Sequence, residues 1–240
     1  MPETLRDREI VLAGGAGGLG SAAAEMLAAE GARLVIGYRR NAERTERWRD
    51  RATVMQADLT SAADRRRLLD AAPAIYGLAV FAGDPARVSD PAQMEEAMVR
   101  SWQVNCAGPI LLAREAAERM KAAGTPGAIV LLSTMQAVAL FPGSTAYAAP
   151  KAALTHAAQI LAKECRGANN IRVNVIAPGV MQAGMAEASI ASGKYDRFLA
   201  EGAIPRFGRA MDIARAVRFL LEPDNYITGQ VLSVDGGIIL

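Results

Sequence analysis

The sequence predicts a doubly wound α/β fold, a single domain in which one seven-stranded parallel sheet carries helices on both faces. Short apolar runs alternate with helix-like runs along the whole chain. These apolar runs lack the polar alternation of half-exposed strands, which is typical of parallel sheets covered on both sides. The 240 residues, 51% hydrophobic and 22% charged, suffice to bury the core of one sizeable domain without a linker.

Each predicted strand is a short run dominated by Val, Ile, Leu and Ala. The predicted strands are 9–13, 33–37, 53–57, 77–82, 128–132, 172–176 and 230–234. Helices fill the intervals, and the ligand crevice of such a fold lies beyond the carboxyl ends of its strands. Glycines spaced between Met, Ile and aromatic residues at 181–208 predict a mobile lid over that crevice. The alternative is that these apolar residues only pack on the body of the protein or on another subunit.

The first predicted strand runs directly into a glycine-rich loop and a helix-prone segment. Glycines permit positive φ angles and close approach of a pyrophosphate, and the free N–H groups of a helix start bind anions. A tight turn that merely needs glycine is the alternative interpretation. The strand at 33–37 completes a βαβ unit of the expected length, which favours a dinucleotide site. Its predicted contacts are Gly14, Gly18, Leu19 and Gly20.

The end of the second predicted strand indicates the cofactor. An acidic residue there would hydrogen-bond the ribose of NAD, but the chain has Arg39 and Arg40 instead. Guanidinium groups suit the 2′-phosphate of NADP through charge-assisted hydrogen bonds. Alternatively, these arginines cap or solvate the charged helix that follows. We therefore predict NADP as cofactor, with NAD as the alternative.

Tyr147 and Lys151 form the candidate proton-transfer pair. Helical i,i+4 spacing puts both side chains on one face, one turn apart. An ammonium about 4 Å from a phenol lowers a pKa that is ordinarily about 10, so we expect Lys151 to ionise Tyr147 more readily. A chance pair on a solvated helix surface is the alternative. Pro150 lies between them and lacks an N–H, so the helix is expected to begin late or bend.

Composition excludes several other classes of function. The net charge is +2, from 27 basic and 25 acidic residues, and no apolar run reaches transmembrane length. We expect no nucleic-acid or membrane partner, and the N-terminal residues contain no signal-peptide core. Cys106 and Cys165 provide neither zinc spacing nor a disulfide framework, which favours a reducing cytoplasm. The single histidine, His156, argues against a Ser-His-Asp triad or a metal site, and we interpret it as a helix-surface or packing residue.

Several motifs in order resemble those of the short-chain dehydrogenase/reductase family, from about Arg8 to Leu240. The resemblance implies a Rossmann fold, NADP-dependent hydride transfer between the nicotinamide and a carbonyl or alcohol, and a homo-oligomer, either tetramer or dimer. It is nearest to the branch of 3-oxoacyl carrier-protein reductases and carbonyl reductases. The matching positions are Gly14, Gly18 and Gly20, Asp58 and Leu59, Asn105, Tyr147 and Lys151, Pro178 and Gly179, Thr228 and Gly229, and Val234–Gly237.

The same resemblance implies the role of each site residue. Tyr147 exchanges a proton with the substrate oxygen, and Lys151 lowers its pKa and holds the nicotinamide ribose. Asn105 holds a water molecule and the local helix geometry. Thr134 stands where most relatives have the substrate-orienting serine, and Ser133 is the alternative hydroxyl. The implied cofactor contacts also include Asp58 and Leu59 at the adenine, with Ala82, Gly83, Pro178 and Gly179 beside the remainder.

Departures from the family pattern motivate a different class of function. Ala13 replaces a usual Thr, Val80 and Phe81 replace two Asn, and Ala183 replaces the Thr that contacts the nicotinamide amide. We interpret the first two changes as one polar contact exchanged for apolar packing. A nucleotide-binding regulatory or structural subunit with little catalysis is therefore the alternative function. A methyltransferase-like glycine loop is a third hypothesis, and it leaves the Tyr-Lys pair unexplained.

Overall fold

Seven parallel strands form one sheet in the order β3-β2-β1-β4-β5-β6-β7. The computed structural model describes residues 4–88 and 90–240, so the first residues of the N-terminal segment interpreted above lie outside the described chain. The order reverses between β1 and β4, which places a crevice at the carboxyl ends of these strands. The predicted sheet is confirmed. Its strands are β1 Glu9–Ala13, β2 Arg33–Tyr38, β3 Thr53–Gln56, β4 Ile75–Val80, β5 Gly127–Leu132, β6 Ile171–Pro178 and β7 Val231–Val234.

Helices cover both faces of the sheet. The helices are α1 Gly18–Ala29, α2 Ala62–Asp70, α3 Met94–Trp102, α4 Gly108–Ala123, α5 Thr145–Glu164, α6 Glu187–Ala191, α7 Asp196–Ala200 and α8 Ala210–Leu221. Alternate β1 residues face opposite sides: Val11 joins the core under α2, α4 and α5, and Leu12 joins the core under α1 and α8. None of the described helices is long and apolar enough to cross a membrane.

The apolar replacements in the family pattern lie side by side at the crevice. Ala13 is paired with Val80 in the β1–β4 register, and each is 1% exposed. The backbone N–H of Phe81 donates to the Ala13 carbonyl over 2.8 Å. Apolar side chains therefore meet at the ends of β1 and β4, which agrees with the interpretation that packing replaces a polar contact there.

Helix α5 carries both Tyr147 and Lys151 despite the internal proline. The backbone N–H groups of Tyr147 and Ala148 both donate to the Ser144 carbonyl, over 2.9 and 2.7 Å, and start the helix at its first turn. A late start, one of the two outcomes expected from Pro150, is therefore not observed. Pro150 lies beyond the first turn, where its ring removes one intrahelical hydrogen bond.

The segment 182–207 leaves the body and returns to it at one point. Met181 and Gly208 form an isolated parallel bridge, and the Gly208 N–H donates to the Val180 carbonyl over 2.9 Å. Helices α6 and α7 lie within this segment. Ile204 is 3% exposed and packs with Val180 and other body residues, so part of the segment's apolar surface serves packing.

Candidate active site

A cleft of about 1270 Å³ opens at the carboxyl ends of the strands and brings most of the predicted residues together. The glycine loop, the end of β2, the start of α5 and the segment 182–207 all line it, and the segment 182–207 begins beside Gly18. Asn105 is the one predicted site residue that does not line the cleft. The predicted residues that do line it are Gly14, Gly18, Leu19, Gly20, Arg39, Arg40, Asp58, Leu59, Ala82, Gly83, Thr134, Tyr147, Lys151, Pro178 and Gly179.

The glycine loop is shaped by close backbone approaches. Gly14 has φ 84°, and an added Cβ would lie 3.0 Å from the backbone nitrogen of Ala82. A Cβ on Gly20 would lie 2.5 Å from the Gly14 carbonyl oxygen. One on Gly18 would lie 2.8 Å from the backbone nitrogen of Gly184. Side chains are thus excluded at the start of α1, where N–H groups are available to an anion.

The arginines after β2 face the cleft and not the neighbouring acidic residues. Arg39, Arg40 and Arg44 line it, and the described chain places no carboxylate within ion-pair distance of them. Glu46, which could have paired with them, binds Arg49 over 2.9 Å. The interpretation of Arg39 and Arg40 as solvated helix residues is therefore weakened. Sequence reasoning missed Arg44, although its spacing from Arg40 is that of one helical turn.

The predicted adenine contact lies on the loop after β3. Asp58 lines the cleft, and its Oδ1 accepts from the backbone N–H and the hydroxyl of Thr60, over 3.0 and 2.8 Å. Leu59 is buried beside it, with 7% exposure. This corner combines a fixed carboxylate with an apolar surface.

The two candidate hydroxyls point in different directions. Thr134 lies near enough to the Tyr147 phenol to lower its pKa, and its hydroxyl oxygen also accepts from the backbone N–H of Gln136 over 3.3 Å. Ser133 donates to the Lys151 carbonyl over 3.1 Å and accepts from the Thr155 hydroxyl over 2.8 Å, so its hydroxyl is committed to α5. The arrangement favours Thr134 as the hydroxyl available to a substrate oxygen.

The ionisation of the pair differs from the expectation. Burial raises the pKa of Tyr147 to about 12, and Thr134 offsets only part of that increase. Burial also lowers the pKa of Lys151 to about 8. The Lys151 ammonium donates to the Leu132 carbonyl over 2.7 Å. The expected depression of the Tyr147 pKa by Lys151 is therefore wrong for this structure, because burial raises that pKa and Lys151 is not among the groups that lower it.

Asn105 lies behind the cleft on a single π-helical turn, Gln103–Ala107, between α3 and α4. It is fully buried, and its Oδ1 accepts from the Asp84 N–H over 2.9 Å. Its Nδ2 donates to the Asp84 carbonyl over 2.9 Å and to the Ser101 hydroxyl over 2.7 Å. Turns of this kind are frequent at functional sites. Asn105 thus holds the chain that follows β4, and through it Gly83.

Asp84 was not identified from the sequence, although it directly follows the motif residues Ala82 and Gly83. Its Oδ1 accepts from the Ala86 N–H over 2.7 Å, and its Oδ2 accepts from Arg100 over 3.3 Å. Ala86 has φ 47°, a left-handed conformation that is strained for alanine. The Asp84 carboxylate therefore stabilises a strained turn.

We expect Asp84→Ala to lower the free energy of unfolding by about 1–3 kcal/mol, because the buried Ala86 N–H loses its acceptor. Urea unfolding followed by circular dichroism measures this loss. Asp84→Asn is the matched control, since the amide oxygen can still accept from Ala86. Equal losses in the two variants would contradict the role assigned to the turn.

Two features of the described chain lie outside the cleft. His156 is exposed on α5 and does not line it. Ala183, which replaces the Thr that contacts the nicotinamide amide in the family pattern, lines the cleft, whereas its neighbour Gln182 does not. No group of three or more His, Cys, Asp or Glu in residues 4–88 and 90–240 is placed to hold a metal ion.

Comparison with known proteins finds similarity over nearly the whole chain. Residues 14–239 match a family described as enoyl-(acyl carrier protein) reductase. The chain is 32% identical over 262 residues to the NADPH-dependent aldehyde reductase-like protein, chloroplastic, of Arabidopsis thaliana, covering 99% of this chain and 96% of that protein.

Two solved structures share the architecture. A short-chain type dehydrogenase/reductase from Mycobacterium ulcerans is 28% identical, with a TM-score of 0.90 over 99% of this chain and 91% of that one. A 7α-hydroxysteroid dehydrogenase complexed with NADH and 7-oxo glycochenodeoxycholic acid is 29% identical. Its TM-score is 0.87 over 98% of this chain and 96% of that one.

Proposed function

The chain belongs to the short-chain dehydrogenase/reductase family, and from that premise we propose that it is an NADP-dependent carbonyl reductase. It transfers hydride between the nicotinamide and a small-molecule carbonyl or alcohol, possible substrates including 3-oxoacyl compounds and other partly apolar ketones. One observation carries the proposal: Tyr147 and Thr134 lie in the same cleft as the glycine loop and the arginines that follow β2, which have no carboxylate partner within the described chain.

The residues of the cleft fit the cofactor. Gly14 and Gly18 lie against the backbones of Ala82 and Gly184, where a Cβ would clash, so the loop presents only backbone to a pyrophosphate at the start of α1. Asp58 and Leu59 receive the adenine, and Lys151 holds the nicotinamide ribose. Ala82, Gly83, Pro178 and Gly179 line the walls between these contacts. When bound, NADPH supplies the hydride.

Tyr147 and Thr134 act on the substrate oxygen. With a pKa of about 12, the Tyr147 phenol keeps its proton at neutral pH and can donate it to the oxygen as the carbon receives hydride. Thr134 orients that oxygen through its hydroxyl. Asn105 acts indirectly by holding Gly83 and Asp84. The reverse reaction requires ionised Tyr147, so this arrangement supports reduction at neutral pH and alcohol oxidation at higher pH.

The arginines support NADP over NAD, as does the name of the Arabidopsis relative. NAD remains the alternative, since one similar structure is a complex with NADH.

We expect the double substitution Arg39→Gln, Arg40→Gln to raise the KM for NADPH by about 10–100-fold, because each charge-assisted hydrogen bond of about 1.5–3 kcal/mol is replaced by a neutral one of about 0.5–1.5 kcal/mol. The KM for NADH should change little. Initial rates with each cofactor measure both effects. Arg49→Gln is the control, because this exposed arginine pairs with Glu46 and does not line the cleft. Equal changes for both cofactors would contradict a 2′-phosphate site.

The proposal extends to the role of the segment 181–208, to the oligomeric state and to the cellular compartment. The residues 181–208 act as a lid on one domain, supported by the bridge at which the segment leaves and returns. The protein forms a homo-oligomer, tetramer or dimer, supported by the exposed apolar side chains of Trp102, Ile160 and Phe219. A cytoplasmic location is supported by two cysteines that are buried and unpaired.

The experiment that tests the function separates it from the regulatory-subunit alternative. NADPH and NADH are titrated by fluorescence, and aldehydes and ketones are then screened for loss of the reduced-nicotinamide absorbance. We expect tighter binding of NADPH and carbonyl-dependent oxidation. Binding without turnover of any carbonyl would favour the regulatory subunit, and absence of nucleotide binding would contradict both.

A further inference from the structure

Three cations besides the arginines that follow β2 line the cleft. Arg87 comes from the turn after β4, and Lys194 and Arg197 come from the segment 182–207 beside and within α7; all three line the cleft. The described residues include no carboxylate within ion-pair distance of any of the three. Arginines elsewhere are paired closely, such as Arg206 with Asp212 over 2.7 Å.

Glu187 is the acidic residue of the described lining nearest these three cations, and its single carboxylate does not balance their charge. Glu187 lines the cleft, but its Oε1 accepts from the backbone N–H of Gly184 over 2.8 Å. Asp58, the other acidic residue of the described lining, lies at the adenine end. The part of the cleft beside these cations therefore has an excess of positive charge, which attracts anions.

Arg87 is held in place before any substrate binds. Its Nη2 donates to the Met185 carbonyl over 2.7 Å and to the Ser189 hydroxyl over 3.3 Å, both neutral acceptors. Its Nη1 and Nε have no hydrogen-bond partner within the described chain. The strained turn at Ala86, stabilised by Asp84, fixes the backbone before it. An anion that meets this guanidinium avoids most of the cost of ordering it.

The other two cations lie over aromatic rings. The Lys194 ammonium is 5.6 Å from the Tyr195 ring centroid, and the Arg197 guanidinium carbon is 4.7 Å from that of Phe198. The two rings stack with centroids 6.4 Å apart. Met135 and Phe141 continue the apolar lining towards Thr134. A ligand that fits this part of the cleft has an apolar body and an anionic group.

We propose that the substrate is a carbonyl compound with an apolar body and an anionic group, a carboxylate or a phosphate ester, bound by Arg87, Lys194 and Arg197. This inference rests on the proposed function, because it describes the substrate of the same cleft. Arg87 makes the main contact, since its free N–H groups suit an anionic oxygen. Lys194 and Arg197 are exposed and, within the described chain, lack side-chain hydrogen bonds like those of Arg87, so they contribute mainly attraction.

Matched substrates test the charge. A medium-chain oxo acid is compared with its methyl ester, and a 3-oxoacyl coenzyme A thioester is compared with the corresponding pantetheine thioester, which lacks the phosphates. We expect kcat/KM to be about tenfold or more higher for the charged member of at least one pair. The pair that shows the preference distinguishes a carboxylate from a phosphate ester. Raising the ionic strength should reduce the preference for the charged substrate.

Single substitutions show which of the three cations causes the preference for the charged substrate. Arg87→Gln should reduce the ratio of charged to neutral kcat/KM by about tenfold, and Lys194→Gln or Arg197→Gln by about 2–5-fold. Turnover of the neutral member reports any effect of Arg87→Gln on the lid, so the ratio isolates the charge. Arg166→Gln is the control, because this exposed arginine donates to the Lys163 carbonyl and does not line the cleft.

Equal kcat/KM for charged and neutral members overturns the inference and leaves the proposed function intact. As a second measurement, the saturated carboxylic acid and its methyl ester are titrated by calorimetry into the protein with NADP⁺, and the coenzyme A thioester analogues likewise. Tighter binding of the charged ligand that is lost in Arg87→Gln supports the inference even without turnover. Equal binding of both members in both pairs overturns it. Failure of every carbonyl to oxidise NADPH counts only against the proposed function.

Discussion

Tyr147→Phe is expected to reduce the kcat of carbonyl-dependent NADPH oxidation by about 10²–10⁴-fold, the range of general acid catalysis. The variant removes only the phenol oxygen, which holds the proton at neutral pH because burial raises the pKa of Tyr147 to about 12. The ring remains and fills the same space, so NADPH affinity should change little. Initial rates and fluorescence titration measure the two quantities separately.

Tyr195→Phe is the matched control for that loss. Tyr195 also lines the cleft, through the segment 182–207, and the substitution removes the same hydroxyl. We expect it to retain turnover, since it is Tyr147 that lies beside Thr134. Turnover retained in Tyr147→Phe, or lost equally in both variants, would reject Tyr147 as the proton donor.

The sheet could be predicted from sequence because each strand is a continuous apolar run, yet strand ends could not. The run predicted at 77–82 is β4 Ile75–Val80 in the structure. It begins earlier because a register shift lets Glu9 pair with Ile75. It ends earlier because Ala82 and Gly83 turn into the cleft beside the glycine loop. The ends of a strand depend on the strands and loops packed beside it, and these are distant in sequence from the apolar run itself.

The site could be predicted where a motif specifies a residue, as with Tyr147 and Lys151 on α5. The turn at Asp84 and the orientation of Arg87 could not, because they depend on contacts distant in sequence. Arg87 binds the Met185 carbonyl, 98 residues away in the chain. The pKa of Tyr147 was missed for the same reason: its burial comes from the tertiary structure, whereas the spacing to Lys151 only indicated the nearby charge.

Lys151→Met is expected to abolish activity and to stabilise the free protein by about 1–2 kcal/mol at pH 7. Burial lowers the pKa of Lys151 from 10.5 to about 8, which corresponds to about 3 kcal/mol of disfavoured charge. The loss of the hydrogen bond to the Leu132 carbonyl offsets part of the gain. Urea unfolding between pH 7 and about 11 measures the stability, and NADPH oxidation measures the activity.

The stability difference between Lys151→Met and the natural protein is expected to change with pH, because Lys151 loses its proton at a lower pH in the folded protein than in the unfolded chain. Between pH 8 and 10.5 the folded protein binds fewer protons at Lys151 than the unfolded chain, so the free energy of unfolding rises with pH across this window. Lys151→Met lacks that rise of about 3 kcal/mol, so its advantage of about 1–2 kcal/mol should shrink from pH 8 upwards, vanish within this window and be reversed by about pH 10.5. Above pH 10 the raised pKa of Tyr147 lowers the stability of both proteins alike, so it cancels in the difference.

Lys163→Met provides the control on the same helix. Lys163 is exposed on α5, so this variant reports the effect of exchanging lysine for methionine without burial. A pH-independent difference for Lys151→Met would show that the buried ammonium is not destabilising. If the advantage shrinks as expected, Lys151 reduces stability in the free protein at neutral pH. Its presence then follows from what the ammonium does in the cleft, since a buried apolar residue would make a more stable helix.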